Sequence, residues 1–172
     1  MVIIVTGVIG IGKTTVCQKL VETVRNQGYT CGGILTYKDA TNHIIIEDIQ
    51  SGEKEILASS HNTYSGPRTP RYSFNPEGID FGIQAIDKGI DSDVLIVDEV
   101  GHLELMGEGF FKSLELIQTN KVKNSVTVIR KELLSFFLPQ LDVVSPLIFE
   151  TTVDNRNQLP GEIGTILVEQ WR

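Results

Sequence analysis

Nine residues near the start of the chain, Gly7, Val8, Ile9, Gly10, Ile11, Gly12, Lys13, Thr14 and Thr15, have the types and spacing of a loop that grips a polyphosphate, G-x4-G-K-T. Gly10 and Gly12 let the backbone turn around an anion, so that its N–H groups and the start of the following helix point at phosphate oxygens. Lys13 is placed to reach the β- and γ-phosphates, and the Thr14 hydroxyl to ligate Mg²⁺. Further on, the apolar run from Val94 to Val97 ends in Asp98 and Glu99. Two carboxylates beside such a loop divide naturally: Asp98 holds the Mg²⁺ shell, and Glu99, one residue later and facing the other way, polarises a water for in-line attack on the γ-phosphorus.

These groups meet only if the intervening chain builds parallel strands that end at one edge. The run from Val2 to Val5 and the run before Asp98 are continuously apolar, as strands buried on both faces are. Residues 13–27 carry an i, i+4 stripe of Val16, Leu20 and Val24, with Gly28 as a stop, and predict the helix after the phosphate loop. Strands are predicted over 32–37, 43–49 and 54–58, separated by turn residues and joined as a meander inserted after the second strand. Residues 59–76, with Gly66, Pro67, Pro70 and Pro76, read as a long loop and the best lid candidate. Helices follow at 76–89, 109–118 and 131–137, strands at 126–129 and 146–151, a polar loop at 154–158 and a last helix at 160–170. Alternating strands and helices predict an α/β fold, a mostly parallel sheet with helices on both faces, whose ligands bind at the carboxyl ends of the strands.

At 172 residues, 41% hydrophobic and 22% charged, the chain is expected to form one domain, 1–172. A net charge of −7 leaves no basic face for a duplex, so no nucleic-acid partner is expected. Cys17 and Cys31 have no metal-ligand spacing and are expected to be core thiols in a reducing compartment. The apolar N-terminus lacks a basic leader and is interrupted by Gly7, which argues against a signal peptide or a membrane span and for a cytoplasmic protein. A monomer or weak homo-oligomer is expected.

Five segments occur in order along the chain: the N-terminal phosphate loop, Gly32-Gly33-Ile34-Leu35-Thr36, Ser51-Gly52-Glu53, Asp98-Glu99-Val100-Gly101-His102-Leu103-Glu104-Leu105, and Asp154-Asn155-Arg156-Asn157 before Leu159-Pro160. Together they resemble the small nucleoside-triphosphatase family found in thermophiles and, in human, as the cancer-related nucleoside triphosphatase. The resemblance implies a P-loop NTPase with a RecA-like core that hydrolyses ATP, GTP and other nucleoside triphosphates with Mg²⁺ and loose base selectivity. It implies Lys13 and Thr14 as phosphate and metal groups, Asp98 as the metal-shell residue, Glu99 as the water activator, and Asn155 and Arg156 as the loop near the base. The chain departs from the family where Ala40-Thr41-Asn42-His43-Ile44 stands in place of an Arg-x-Gly-Phe segment, and at His102.

That departure leaves the transition-state cation to be found elsewhere, and such an arginine is worth about 10³ to 10⁵ in rate. Arg68 and Arg71 in the long loop, and Arg130 after its strand, are the candidates; Arg130 is carried with Lys13 and Glu99 as catalytic. Arg156 is suited to stack flat on a base, and Glu104 to brace the segment after Glu99. Three readings follow: a Mg²⁺-dependent nucleoside triphosphatase, a small nucleotide or nucleoside kinase, and a nucleotide-dependent switch or carrier. The first leads, because Glu99 supplies a water-activating group and no second-substrate pocket is visible in the sequence.

Overall fold

Alternation along the apolar strands feeds two cores at once. In the computed structural model, which describes residues 1–141 and 145–169, β1 (Val2–Gly7) is buried along its whole length. Its Val2 and Ile4 enter one apolar cluster, and Ile3 and Val5 the other. β6 (Val94–Val100) divides likewise, Leu95 and Val97 to the first cluster, Val94 and Ile96 to the second. A period of two requires this when both faces of a sheet are covered. At about 1.5–3 kcal/mol per fully buried aliphatic side chain, these strands are a main source of the folding drive.

The sheet runs β5-β4-β3-β2-β6-β7-β1-β8. Here β2 is Cys31–Lys38, β3 His43–Asp48, β4 Lys54–Ser59, β5 Ser73–Phe74, β7 Ser125–Arg130 and β8 Leu147–Glu150. From β2 through β6, β7 and β1 to β8 every pairing is parallel. Beyond β2 the direction reverses, and β3, β4 and β5 extend the sheet as an antiparallel meander. Helices α1 (Lys13–Asn26) and α6 (Leu159–Glu169) pack together on one face, where Leu20, Val24, Ile163 and Leu167 join the second cluster. On the other face lie α2 (Pro76–Lys88), α4 (Phe111–Gln118) and α5 (Leu134–Leu141), burying Ile86, Leu114 and Phe137. Asn75 caps α2 by accepting from the Glu77 amide, with Pro76 in the first turn. No helix among the described residues is long and apolar enough to cross a membrane.

Most predicted elements lie within three residues of the observed ones. The stretch 59–76 departs most: Phe74 N–H donates to the Pro67 carbonyl and Thr69 N–H to that of Tyr72, so a small hairpin closes and carries β5 onto β4. The predicted helix at 109–118 starts later, because Gly109 has a φ of +58°. The predicted helix at 131–137 is a 3₁₀ turn, Lys131–Leu133, followed by α5. That helix runs through Pro139, one backbone hydrogen bond poorer, with buried Phe137 and Leu141 on either side of it. A single-turn helix α3 (His102–Leu105) follows β6 unpredicted. Gln170, the expected end of the last helix, lies outside the described residues.

One close approach fixes β2 beside its neighbours. A Cβ on Gly33 would stand 2.0 Å from the Ile96 carbonyl oxygen, and the φ of Gly33 is +98°. Gly33→Ala is therefore expected to cost about 2–5 kcal/mol, adding a left-handed backbone penalty of about 1–2 kcal/mol to overpacking of about 1–3 kcal/mol. Urea denaturation checks this; an unchanged midpoint would show that β2 and β6 part easily.

Candidate active site

The parallel strands bring the carboxyl ends of β1, β2, β6 and β7 to one edge, where β1 passes through residues 8–12 into α1. Gly12 precedes the helix with a φ of +109°, a conformation open to glycine at little cost, and no side chain caps the helix start. Among the described residues no side chain is found bonded to the first-turn N–H groups of α1, which point as an anion site requires. Lys13 folds back over the loop, its Nζ donating to the carbonyls of Gly7 at 2.9 Å and Val8 at 2.8 Å. Burial lowers its pKa, while the charges of Glu99 and Asp98 oppose that shift. Val8 and Ile9 at the loop tip are exposed.

Asp98 is buried at the end of β6. Its carboxylate accepts the Thr36 N–H at 3.2 Å and a hydrogen bond from the side chain of Thr14. Burial raises its pKa to about 7 and the neighbouring Glu99 charge adds to this, against the Thr14 and Thr36 hydrogen bonds and Lys13. Glu99 does not follow plain alternation. The register with β7 steps from Asp98 opposite Val128 to Val100 opposite Ile129, so Glu99 is the extra residue of a β-bulge, a feature that re-aims a side chain. Arg130, the last residue of β7, lies opposite Gly7 in register. Its Nε donates to Glu99 Oε1 at 2.5 Å, and its Nη2 meets the same oxygen. Among the described residues nothing hydrogen-bonds the other oxygen, Oε2.

Lys13, Thr14, Asp98, Glu99 and Arg130 line one cavity of about 610 Å³, with Gly10, Gly12 and Ile9 beside them. Every residue carried from the sequence as catalytic or metal-binding is thus gathered there. The cavity continues past these groups between the meander, α2 and the α3–α4 segment. Arg71 and Tyr72 of the 59–76 hairpin line it, whereas Arg68 forms a bridge with Ser73. Buried Glu104 braces the segment after β6 as expected, accepting from the amides of Gly101 at 2.7 Å and Phe110 at 2.8 Å. Burial pushes its pKa up, the two amides opposing.

On the loop that follows β8, Arg156 Nη1 donates to the Ile11 carbonyl at 3.3 Å, which sets the guanidinium beside the phosphate loop. Gly12, Thr15, Arg156 and Asn157 line a separate cavity of about 240 Å³. Asn155, expected near the base, has its Nδ2 donating to the Glu150 carbonyl and its Oδ1 accepting the Thr152 N–H, both at 2.8 Å, so the side chain shapes the loop. Asn157 lines the cavity, and its only signal in the sequence was its place in the Asp154-to-Asn157 motif. Cys17 and Cys31 are free, buried thiols.

A family model described as NTPase matches residues 2–164. The nucleoside-triphosphatase THEP1 of Pyrococcus abyssi is 32% identical over 167 residues, 92% of this chain and 88% of that protein. The crystal structure of THEP1 from the hyperthermophile Aquifex aeolicus aligns with a TM-score of 0.82 at 24% identity, covering 97% of this chain and 99% of that one. The solution structure of a human cancer-related nucleoside triphosphatase aligns with a TM-score of 0.75 at 20% identity, covering 99% and 98%. At such identities the two structures show a shared fold.

Proposed function

This chain belongs to the NTPase family of THEP1-type nucleoside triphosphatases, and from that premise we propose that it hydrolyses nucleoside 5'-triphosphates, ATP and GTP among them, to diphosphate and phosphate by in-line attack of water with Mg²⁺ bound. The observation that carries this reading is the gathering of Lys13, Thr14, Asp98, Glu99 and Arg130 in one cavity at the phosphate loop. Loop amides and the first turn of α1 hold the β- and γ-phosphates, and Lys13 exchanges its two carbonyl partners for phosphate oxygens. Thr14 and Asp98 fit Mg²⁺: a hydroxyl and a carboxylate already in contact form an all-oxygen set suited to a hard cation that keeps water and phosphate ligands. When bound, the ion neutralises charge on the phosphates.

Glu99 takes the proton from the attacking water. Arg130 occupies one of its oxygens and leaves Oε2 to accept it. Standing opposite Gly7, Arg130 is also placed to meet the charge that develops on the γ-phosphoryl group.

The base lies against Arg156, Gly12 and Thr15 and is held by stacking and backbone contacts, which every base offers alike. Arg156→Ala is therefore expected to raise KM for ATP, GTP, CTP and UTP by similar factors, about 2- to 30-fold for a cation–π loss of about 0.5–2 kcal/mol, with little change in kcat. Steady-state phosphate release across the four nucleotides checks this and the hydrolysis itself. No phosphate release from any of them would overturn the reading, and a strong base preference abolished by Arg156→Ala would show that the loop reads a base edge.

A further inference from the structure

The cavity beside the phosphate loop extends well beyond the residues that hold the phosphates. At about 610 Å³, a volume that includes the space at Lys13, Thr14 and Asp98, it falls in the range of small-molecule sites, about 300–1,000 Å³. Past Glu99 and Arg130 its walls turn apolar and come from four elements: Ile44 of β3, Leu57 of β4, Phe74 of β5 and Ile79 of α2, with Phe110 beside them. Ile44, Phe74 and Ile79 stay only partly buried, so the packed core leaves part of their apolar surface uncovered. The cavity at Arg156, where the base of the triphosphate is placed, is separate and shares only Gly12 with this one.

Charge at the rim narrows the occupant. Lys38 and Arg71 also line the cavity, and among the described residues neither forms an ion pair. Lys38 Nζ stands 5.5 Å over the Tyr72 ring. In a chain with 22 acidic and 15 basic residues, two cations without ion pairs on the wall of one cavity favour an anion there. An aromatic-lined apolar chamber with cations on its wall fits a ligand that is flat and apolar at one end and anionic at the other.

We propose that this chamber is a second substrate site for a nucleoside monophosphate, and that the enzyme passes the γ-phosphoryl group to it. The proposal rests on the phosphate-loop reading above, which supplies the donor. A phosphate oxygen of the monophosphate attacks the γ-phosphorus and forms the new P–O bond. The bond from that phosphorus to the β,γ-bridging oxygen breaks, and its electron pair leaves with the nucleoside diphosphate. Two diphosphates result, one from the donor and one from the acceptor. The acceptor oxygen is already ionised at neutral pH, its second pKa being about 6, so this step needs no proton acceptor, unlike attack by water.

The experiment incubates the purified full chain and Mg²⁺ with ATP labelled at the γ-phosphorus, alone and with AMP, GMP, CMP, UMP or dTMP, and separates labelled diphosphate from labelled phosphate. Label is expected in the diphosphate of at least one acceptor, with phosphate release falling in step. Filling the chamber by Ile79→Trp, or from the opposite wall by Ile44→Trp, is expected to cut transfer at least about tenfold while leaving phosphate release from ATP alone unchanged. Label confined to inorganic phosphate with all five acceptors overturns the proposal, as does transfer that survives both folded tryptophan variants. Phosphate release from ATP alone without any transfer leaves hydrolysis standing and removes the second site. Transfer without release from ATP alone does the reverse.

Discussion

Lys13→Ala protein is expected to release phosphate about 10²- to 10³-fold more slowly than the wild type, the usual cost of removing one donor aimed at developing charge. Triphosphate binding should weaken as well, by about the 1.5–3 kcal/mol of a hydrogen bond to a charged group. The argument is positional. Lys13 opens α1 and reaches back across the loop to the carbonyls of Gly7 and Val8, so its ammonium already lies where the loop encloses an anion. Arg130 carries the other cation at this edge, but Glu99 holds it, and it cannot replace an ammonium fixed in the loop. The fold should tolerate the change, because α1 is anchored through Val16, Cys17, Leu20 and Val24. Phosphate-release kinetics, with circular dichroism to confirm folding, test the expectation. Near-normal turnover in folded Lys13→Ala protein would mean that the loop does not act on phosphate.

What was legible beforehand is what local chemistry dictates. The phosphate loop, the stripe of α1 and the apolar runs of β1 and β6 are each set by residues within a few positions of one another, so a period and a glycine pattern are enough to read them. What was not legible depends on partners far along the chain. Glu99 looks like a plain strand residue until the register of β6 against β7 shows it to be the extra residue of a bulge. Asn155 looks like an unengaged polar loop residue until the Glu150 carbonyl and the Thr152 amide are found on its side chain. Residues 59–76 hold no apolar period, yet backbone hydrogen bonds close them into a hairpin on the edge of β4. The apolar chamber is least visible of all: Ile44, Leu57, Phe74 and Ile79 each read as ordinary core positions, and only the gap left between four elements makes them the wall of one cavity.

The two carboxylates of β6 offer the sharpest test of how the chemistry is divided. Glu99→Gln keeps a side-chain oxygen that can accept from Arg130 but removes the group proposed to take the proton of water. Nucleotide and Mg²⁺ affinity should hold while kcat falls by about 10²–10⁴, the span of general-base loss. Asp98→Asn keeps an oxygen for the Thr36 amide and the Thr14 hydroxyl but loses the buried charge. It should raise the Mg²⁺ concentration needed for half-maximal rate, and with saturating Mg²⁺ recover more activity than Glu99→Gln does. Stability separates the pair again. Burial drives the Asp98 pKa upward, so its charged form is costly in the folded protein, and the neutral amide should hold or raise the melting temperature. Replacing Glu99 weakens an ion pair with Arg130 at the cavity wall, so Glu99→Gln should leave the melting temperature unchanged or slightly lower. Mg²⁺ titrations of kcat and of nucleotide affinity on both variants decide the matter. Equal loss of nucleotide binding in the two would mean that both carboxylates serve the metal, and the proton would then have to leave the attacking water by way of the γ-phosphate itself.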